Sequence, residues 1–94
     1  MGVEKELTDR QAVLTALAEF DSLGREAFLR KYGFGRAGRF RVIHNDRQYD
    51  AKAVIGAARG NQFPERGPLR SNDFPSNAAA VKQTLVRLGF EVQP

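Results

Sequence analysis

Hydrophobic residues near the start of the chain recur at intervals of three and four: Val13, Leu14, Leu17 and Phe20. This spacing puts side chains on one face of an α-helix. Thr8 followed by Gln11 has the spacing of a capping box, and Gly24 is a typical residue just past a helix end. The pattern therefore predicts a first helix that begins after Thr8 and ends at Gly24.

Three further helices are predicted by the same criterion. The stretch REAFLRKYG places Phe28, Leu29 and Tyr32 on one side and ends at Gly33. The stretch AKAVIGAARG follows Asp50 as its N-cap, offers a face of small residues and ends at Gly60. The last helix is capped by Ser76 or Asn77, is closed by Gly89 and carries one stripe, Val81, Leu85 and Leu88.

Between the second and third helices the hydrophobic period changes from helical to two. Phe40, Val42 and His44 alternate with Arg39, Arg41 and Ile43. Asn45 and Asp46 supply turn residues, so Arg47 to Tyr49 can pair back as a return strand. The segment FEV at 90–92 alternates as well and is predicted to add a third strand.

These elements predict an α+β fold: a small single domain of about four helices with a two- to three-stranded antiparallel sheet, formed by the β-hairpin 39–49 and the strand 90–92. A chain of 94 residues is too short for two separate cores, so residues 1–94 are predicted to be one domain. The abrupt end after the last element suggests a piece of a longer protein.

The composition excludes several kinds of chemistry. The chain has no cysteine, which excludes disulfides, thiolate nucleophiles and zinc sites with sulfur ligands. Its start has no apolar signal region, and no run approaches the ~18 apolar residues of a membrane span. We therefore expect a soluble cytoplasmic protein without a membrane partner, and no cofactor.

The positive charge is concentrated in the middle of the chain. Residues 30–70 contain ten Lys and Arg against three acidic residues, a net charge of +7, whereas the flanks together carry −3. Charge gathered in one region is typical of a nucleic-acid-binding surface. Such a distribution also occurs on ordinary solvated surfaces.

Gly33, Gly35 and Gly38 spell G-x-G-x-x-G, the pattern of nucleotide-binding loops. Such a loop needs a strand before it and a helix after it, because the pyrophosphate binds at the helix N-terminus. Here a predicted helix precedes the glycines and a strand follows. The pattern is therefore interpreted as a helix cap and a flexible connection.

Catalytic residues are sparse. His44 beside Asn45 is weakly similar to an HNH nuclease, but no further histidine supplies the metal ligands that such a site needs. Asp50 and Lys52 form a D-x-K string that resembles part of a metal-dependent nuclease site. Such strings are frequent by chance, so no catalytic or metal-binding residue is assigned.

A basic hairpin is the preferred functional candidate. Arg39 and Arg41 lie on one face of the first strand, and Arg47 comes from the return strand, so guanidinium groups can track phosphates. Tyr49 or His44 is predicted nearest the bases. The full set of predicted DNA-binding residues is Arg36, Arg39, Arg41, His44, Arg47, Tyr49, Lys52, Arg59 and Arg70.

Three strings of the chain resemble one protein family: FLRKYGFGRA (28–37), YDAKAVIGAARG (49–60) and GPLRSNDF (67–74). They are similar to the N-terminal head domain of the McrA-like (ScoMcrA-type) HNH restriction endonucleases of actinomycetes. These are modification-dependent type IV enzymes in which reader and nuclease domains follow the head. The likeness extends over about residues 7–92, and this chain lacks the reader and nuclease domains.

The resemblance implies a non-catalytic DNA-recognition domain, with duplex DNA and the other domains of the same endonuclease as partners. It is compatible with reading of a modified cytosine such as 5-methylcytosine. Two alternatives stay open: a protein-interaction module that dimerises the endonuclease or packs on its other domains, and a metal nuclease that uses Asp50 and Lys52.

Overall fold

The computed structural model describes residues 7–35, 40–70 and 78–93, and within them it contains four helices and three strands. The helices are α1 (Arg10–Leu23), α2 (Arg25–Tyr32), α3 (Ala51–Gln62) and α4 (Ala78–Arg87). The strands are β1 (Arg41–His44), β2 (Arg47–Asp50) and β3 (Glu91–Gln93). They form one antiparallel sheet in the order β2-β1-β3. The predicted α+β fold is confirmed.

A two-residue turn connects β1 to β2. Asn45 and Asp46 have φ angles of 51° and 65°, and two successive left-handed residues form a type I′ turn, whose twist suits a hairpin. The paired residues are 41–50, close to the predicted 39–49. Val42 lies opposite Tyr49, and both are buried. Since directly opposed residues share a face, this pair marks the inner face of the hairpin.

α1 supplies the centre of the core. Its buried residues are Ala12, Val13, Ala16, Leu17 and Phe20. The ring of Phe20 lies 4.9 Å from that of Phe28 in α2 and 5.0 Å from that of Tyr49 in β2, centroid to centroid. One aromatic cluster thus joins the first two helices to the sheet.

The cap of α1 differs from the prediction. The N-cap is Asp9, whose Oδ1 accepts a 2.9 Å hydrogen bond from the N–H of Gln11. The hydroxyl oxygen of Thr8 instead accepts a 2.9 Å hydrogen bond from the Gln62 amide of α3. The predicted ends at Gly24 and Gly33 are confirmed, and Gly33 has the left-handed conformation of a C-cap.

α3 also differs, because it continues two residues beyond the predicted stop at Gly60. The helix ends where the N–H of Phe63 donates to the carbonyl oxygen of Arg59 at 2.8 Å. Gly60 lies inside the helix, and its missing side chain leaves room for another part of the chain that passes close to it, as described below.

Hydrogen bonds connect the two ends of the described chain. Arg10 Nε donates to the carbonyl oxygen of Leu88 at 3.1 Å, and Arg87 Nη2 donates to that of Leu7 at 2.8 Å. α4 gives way to β3 through Gly89, which has a φ of 91°. The predicted caps Ser76 and Asn77 lie outside the described residues. No described helix is long and apolar enough to cross a membrane.

Candidate nucleic-acid interface

Two glycines of α3 lie directly beneath the chain that follows the helix. A β-carbon at Gly56 would lie 2.6 Å from the carbonyl oxygen of Leu69, and one at Gly60 would lie 2.9 Å from the nitrogen of Pro68. The N–H of Leu69 donates a 3.0 Å hydrogen bond to the carbonyl oxygen of Gly56. Pro68 therefore passes Gly60 and Leu69 passes Gly56, so the chain runs antiparallel to α3 and Arg70 is directed toward its N-terminal end.

Asp50 marks that N-terminal end and is almost fully buried. Arg25 of α2 binds it with two hydrogen bonds, from Nε to Oδ1 at 2.8 Å and from Nη2 to Oδ2 at 2.9 Å. The hydrogen bond to Asp50 is the main reason that the pKa of Arg25 is raised. Asp50 occupies the predicted N-cap position, but its side chain does not cap α3, because Arg25 engages both carboxylate oxygens.

Three predicted DNA-binding residues lie around this end of α3. Arg41 is the register partner of Asp50, Lys52 is in the first turn of the helix, and Arg70 follows the docked Leu69. Arg70 is exposed, and Arg41 and Lys52 are half-buried. The positive end of the helix dipole adds to their charge, so the group favours an anion. We call Arg41, Lys52 and Arg70 the α3 basic cluster.

Arg59 lies on α3 seven residues after Lys52, which is about 10 Å along the helix axis. Its Nε is buried and has no hydrogen-bond partner within the described part of the chain. The turn that follows the helix contacts this residue, because the N–H of Phe63 donates to the carbonyl oxygen of Arg59. The guanidinium of Arg66 lies 5.5 Å from the centroid of the Phe63 ring. Arg59 is therefore separate from the α3 basic cluster.

The structure does not bring Arg47 to that cluster. In the register Arg47 lies opposite His44, and so belongs to the inner face that carries Val42, whereas Arg41 belongs to the opposite face. Arg47 Nη1 lies 3.0 Å from Oδ1 of Asp21 at the end of α1. The prediction that the hairpin arginines project together therefore requires correction.

Tyr49 and His44, which were predicted to lie nearest the bases, instead pack against other parts of the protein. Tyr49 is 2 % exposed; its burial, together with a hydrogen bond to Asp21, raises its pKa. The ring of His44 packs edge-on against Phe90, with centroids 5.9 Å apart, and the guanidinium of Arg10 lies 4.6 Å from the centroid of the Phe90 ring. Tyr49 therefore belongs to the core, and the half-buried His44 packs beside it on Phe90. Arg36 and Arg39 lie outside the described residues.

The structure also bears on the other motifs. Asp50 of the D-x-K string is held by Arg25, and among the described residues no three His, Cys, Asp or Glu side chains form a group suited to a metal ion. Of the three motif glycines, Gly33 caps α2. Gly38 lies outside the described residues.

Sequence reasoning missed three acidic partners of the basic residues. Asp21 binds Arg47 and Tyr49, which follow it by 26 and 28 residues, and Asp50 lies 25 residues from Arg25. A local pattern carries no information about contacts at such separations. Glu19 is a third example: its burial would raise its pKa, but hydrogen bonds from Lys31 and Tyr32 outweigh that effect and lower it.

Comparison with known proteins identifies the family. Among solved structures, the chain is similar to the type IV phosphorothioation-dependent restriction endonuclease ScoMcrA, with 28% sequence identity and a TM-score of 0.66. The match covers 93% of this chain and 13% of that endonuclease. No curated protein matches the chain. A family model described as the ScoMcrA-like, N-terminal head domain matches residues 5–94, and the chain therefore belongs to this family of restriction-endonuclease head domains.

Proposed function

We propose that this head domain is a non-catalytic module that binds double-stranded DNA for a type IV, modification-dependent restriction endonuclease. The α3 basic cluster is its main contact with the phosphate backbone. Arg36 and Arg39 extend the contact, Arg47 adds to it from the other face of the hairpin, and Arg59 adds to it farther along α3. In this role the domain positions the duplex, while cleavage belongs to another part of the parent enzyme.

The observation that carries the proposal is the hydrogen bond between Leu69 and Gly56. It fixes the chain after α3 against the helix, so that Arg70 returns to the same end as Lys52. Phosphate groups are bound well by cations held near a helix N-terminus, where backbone N–H groups and the dipole also attract negative charge. The similarity to ScoMcrA, a restriction endonuclease, supports DNA as the polyanion.

Reading of a modification is a separate part of the proposal. The family resemblance is compatible with reading of a modified cytosine such as 5-methylcytosine, whereas the similar endonuclease ScoMcrA is described as phosphorothioation-dependent. Tyr49 is buried and His44 packs on Phe90, so contacts to the backbone are favoured over contacts to bases. 5-Methylcytosine alters a base, whereas phosphorothioation alters a backbone phosphate, so the two modifications correspond to the two kinds of contact just compared.

A binding titration tests the proposal. Fluorescence anisotropy of a labelled duplex of about 20 base pairs should show binding that weakens steeply with salt. Unmodified, 5-methylcytosine, hydroxymethylcytosine and phosphorothioate duplexes compare the modifications. Lys52→Ala is expected to weaken binding, while Lys82→Ala on α4 serves as the matched control. Affinity that is independent of salt, or equal losses in the two variants, would contradict the proposal.

A second candidate function is protein contact, either with a second copy of the chain or with other domains of the parent enzyme. The outer face of α4 carries Val86, which is 51% exposed, beside a groove of about 530 Å³ whose described lining also includes Lys82, Gln83 and Arg87. Apolar surface rimmed by polar side chains, as in this groove, is the kind of surface at which proteins make contacts. Sedimentation at several concentrations, with and without Val86→Asp, distinguishes self-association from a monomer.

A further inference from the structure

The carboxylate of Asp21 binds two side chains of β2 at once. The hydroxyl oxygen of Tyr49 lies 3.0 Å from each carboxylate oxygen, and Arg47 Nη1 lies 3.0 Å from Oδ1. Tyr49 is buried, whereas the side chain of Arg47 is 66% exposed. The buried Tyr49 hydroxyl therefore fixes the Asp21 carboxylate beside the exposed guanidinium of Arg47.

This arrangement differs from an ordinary surface ion pair. Exposed pairs usually contribute little, because two long side chains must both be ordered and water screens their charges. Here Tyr49 already orders the carboxylate, so only Arg47 loses freedom when the pair forms. Tyr49 itself is fixed by its contact with Phe20.

We infer that Asp21 competes with DNA phosphates for Arg47 and thereby restrains the affinity of the domain for DNA. A carboxylate and a phosphodiester both present two oxygens to a guanidinium. Asp21 engages one N–H of a guanidinium that has five, but its negative charge offsets that of Arg47 and holds the side chain at α1. A backbone phosphate must therefore bind against this carboxylate or displace it. The inference rests on the proposed DNA-binding function and adds an internal residue that sets its strength.

Such a restraint acts mainly on sequence-independent binding. Phosphate contacts supply the non-specific part of DNA affinity. An acid that weakens one of those contacts lowers affinity for every duplex by the same factor. The parent enzyme would then depend more on the contacts that distinguish a modified duplex, which is the expected advantage.

Asp21→Asn tests the inference, because asparagine can still accept the Tyr49 hydrogen bond while the charge opposite Arg47 is lost. Asp9→Asn is the matched control: asparagine caps α1 as well as aspartate does, and residue 9 lies roughly 18 Å along the helix from residue 21. We expect Asp21→Asn to bind an unmodified duplex about threefold more tightly in low salt, and Asp9→Asn to match the wild type.

The double variant Arg47→Ala with Asp21→Asn separates local competition from a general change in charge. The gain from Asp21→Asn should disappear when Arg47 is alanine.

Tyr49→Phe, which releases the carboxylate but keeps both charges, should give a smaller gain in affinity. It serves as the second test if circular dichroism shows that Asp21→Asn fails to fold. Equal gains from Asp9→Asn and Asp21→Asn, or a gain that persists in the Arg47→Ala background, would overturn the inference while leaving DNA binding intact. Absence of binding by the wild type would overturn both.

Discussion

The N–H of Leu69 donates to the carbonyl oxygen of Gly56, in the middle of a helix whose surface has no side chain at that point. A β-carbon there would meet the Leu69 carbonyl oxygen at 2.6 Å and the ring of Phe34 at 3.0 Å. We expect Gly56→Ala to lower the free energy of unfolding by about 2 kcal/mol, although alanine is the better helix former. Urea denaturation followed by circular dichroism measures the change.

Gly35→Ala is the control for that substitution. Among the described residues, no atom beyond the chain neighbours lies within 4 Å of a β-carbon at Gly35, and its backbone is not left-handed, so its unfolding curve should match that of the wild type. If Gly56→Ala were as stable as Gly35→Ala, the docking of Leu69 on α3 would be wrong.

The hairpin turn offers a stabilising substitution. Asp46 has a φ of 65°, a conformation that glycine adopts without steric cost, and Asn-Gly is the preferred pair in a type I′ turn. We expect Asp46→Gly to raise the free energy of unfolding by about 0.5 kcal/mol and Asp46→Ala to lower it. Thermal unfolding of the two variants provides the comparison, and the same order should appear in urea.

The two tyrosines should ionise late in the folded protein. Burial and a neighbouring carboxylate, Glu19 for Tyr32 and Asp21 for Tyr49, raise the pKa of both above the ordinary value of 10.0. The neutral phenol is favoured by folding, so this contribution to stability is complete below pH 10.0 and is lost as the pH rises through the folded-state pKa. A titration at 295 nm checks this directly, because the chain has only two tyrosines and no tryptophan.

Single-tyrosine variants assign the two transitions. Tyr32→Phe leaves only Tyr49 to titrate, and Tyr49→Phe leaves only Tyr32. Denaturation in urea should return either midpoint to its ordinary range. A folded protein in which Tyr49 ionises at or below the ordinary pKa would contradict the contact with Asp21.

The α3 basic cluster predicts a specific salt dependence. Each phosphate that a side chain neutralises contributes about 0.9 to the slope of log affinity against log salt. Lys52→Ala and Arg70→Ala should each reduce that slope by about this amount, whereas Lys82→Ala should leave it unchanged. Slopes that fall equally in all three variants would indicate diffuse attraction without a defined contact surface.

Much of the fold could be predicted from the sequence because its signals are local. The period of hydrophobic residues located all four helices and the hairpin, and Gly24 and Gly33 marked two helix ends. Gly60 misled the prediction, since a glycine can end a helix or admit another segment against it. Only the packing of Pro68 decides between those roles.

The candidate site was less predictable, because a basic residue looks the same in sequence whether it faces solvent or a carboxylate. The register of the hairpin separates Arg41 from Arg47, and the distant Asp21 holds Arg47. Tyr49 could not be assigned to the core without knowing that Phe20 packs against it. Strand alternation alone leaves open which face is buried.

The pairing of β1 with β3 has a consequence for how the protein is made. Arg41 lies opposite Gln93, so the central strand gains its second neighbour only from the last described residues. Contacts between such distant residues form slowly during folding. The ribosome must synthesise nearly this entire segment before the sheet can close, and until then one edge of β1 has no strand to pair with.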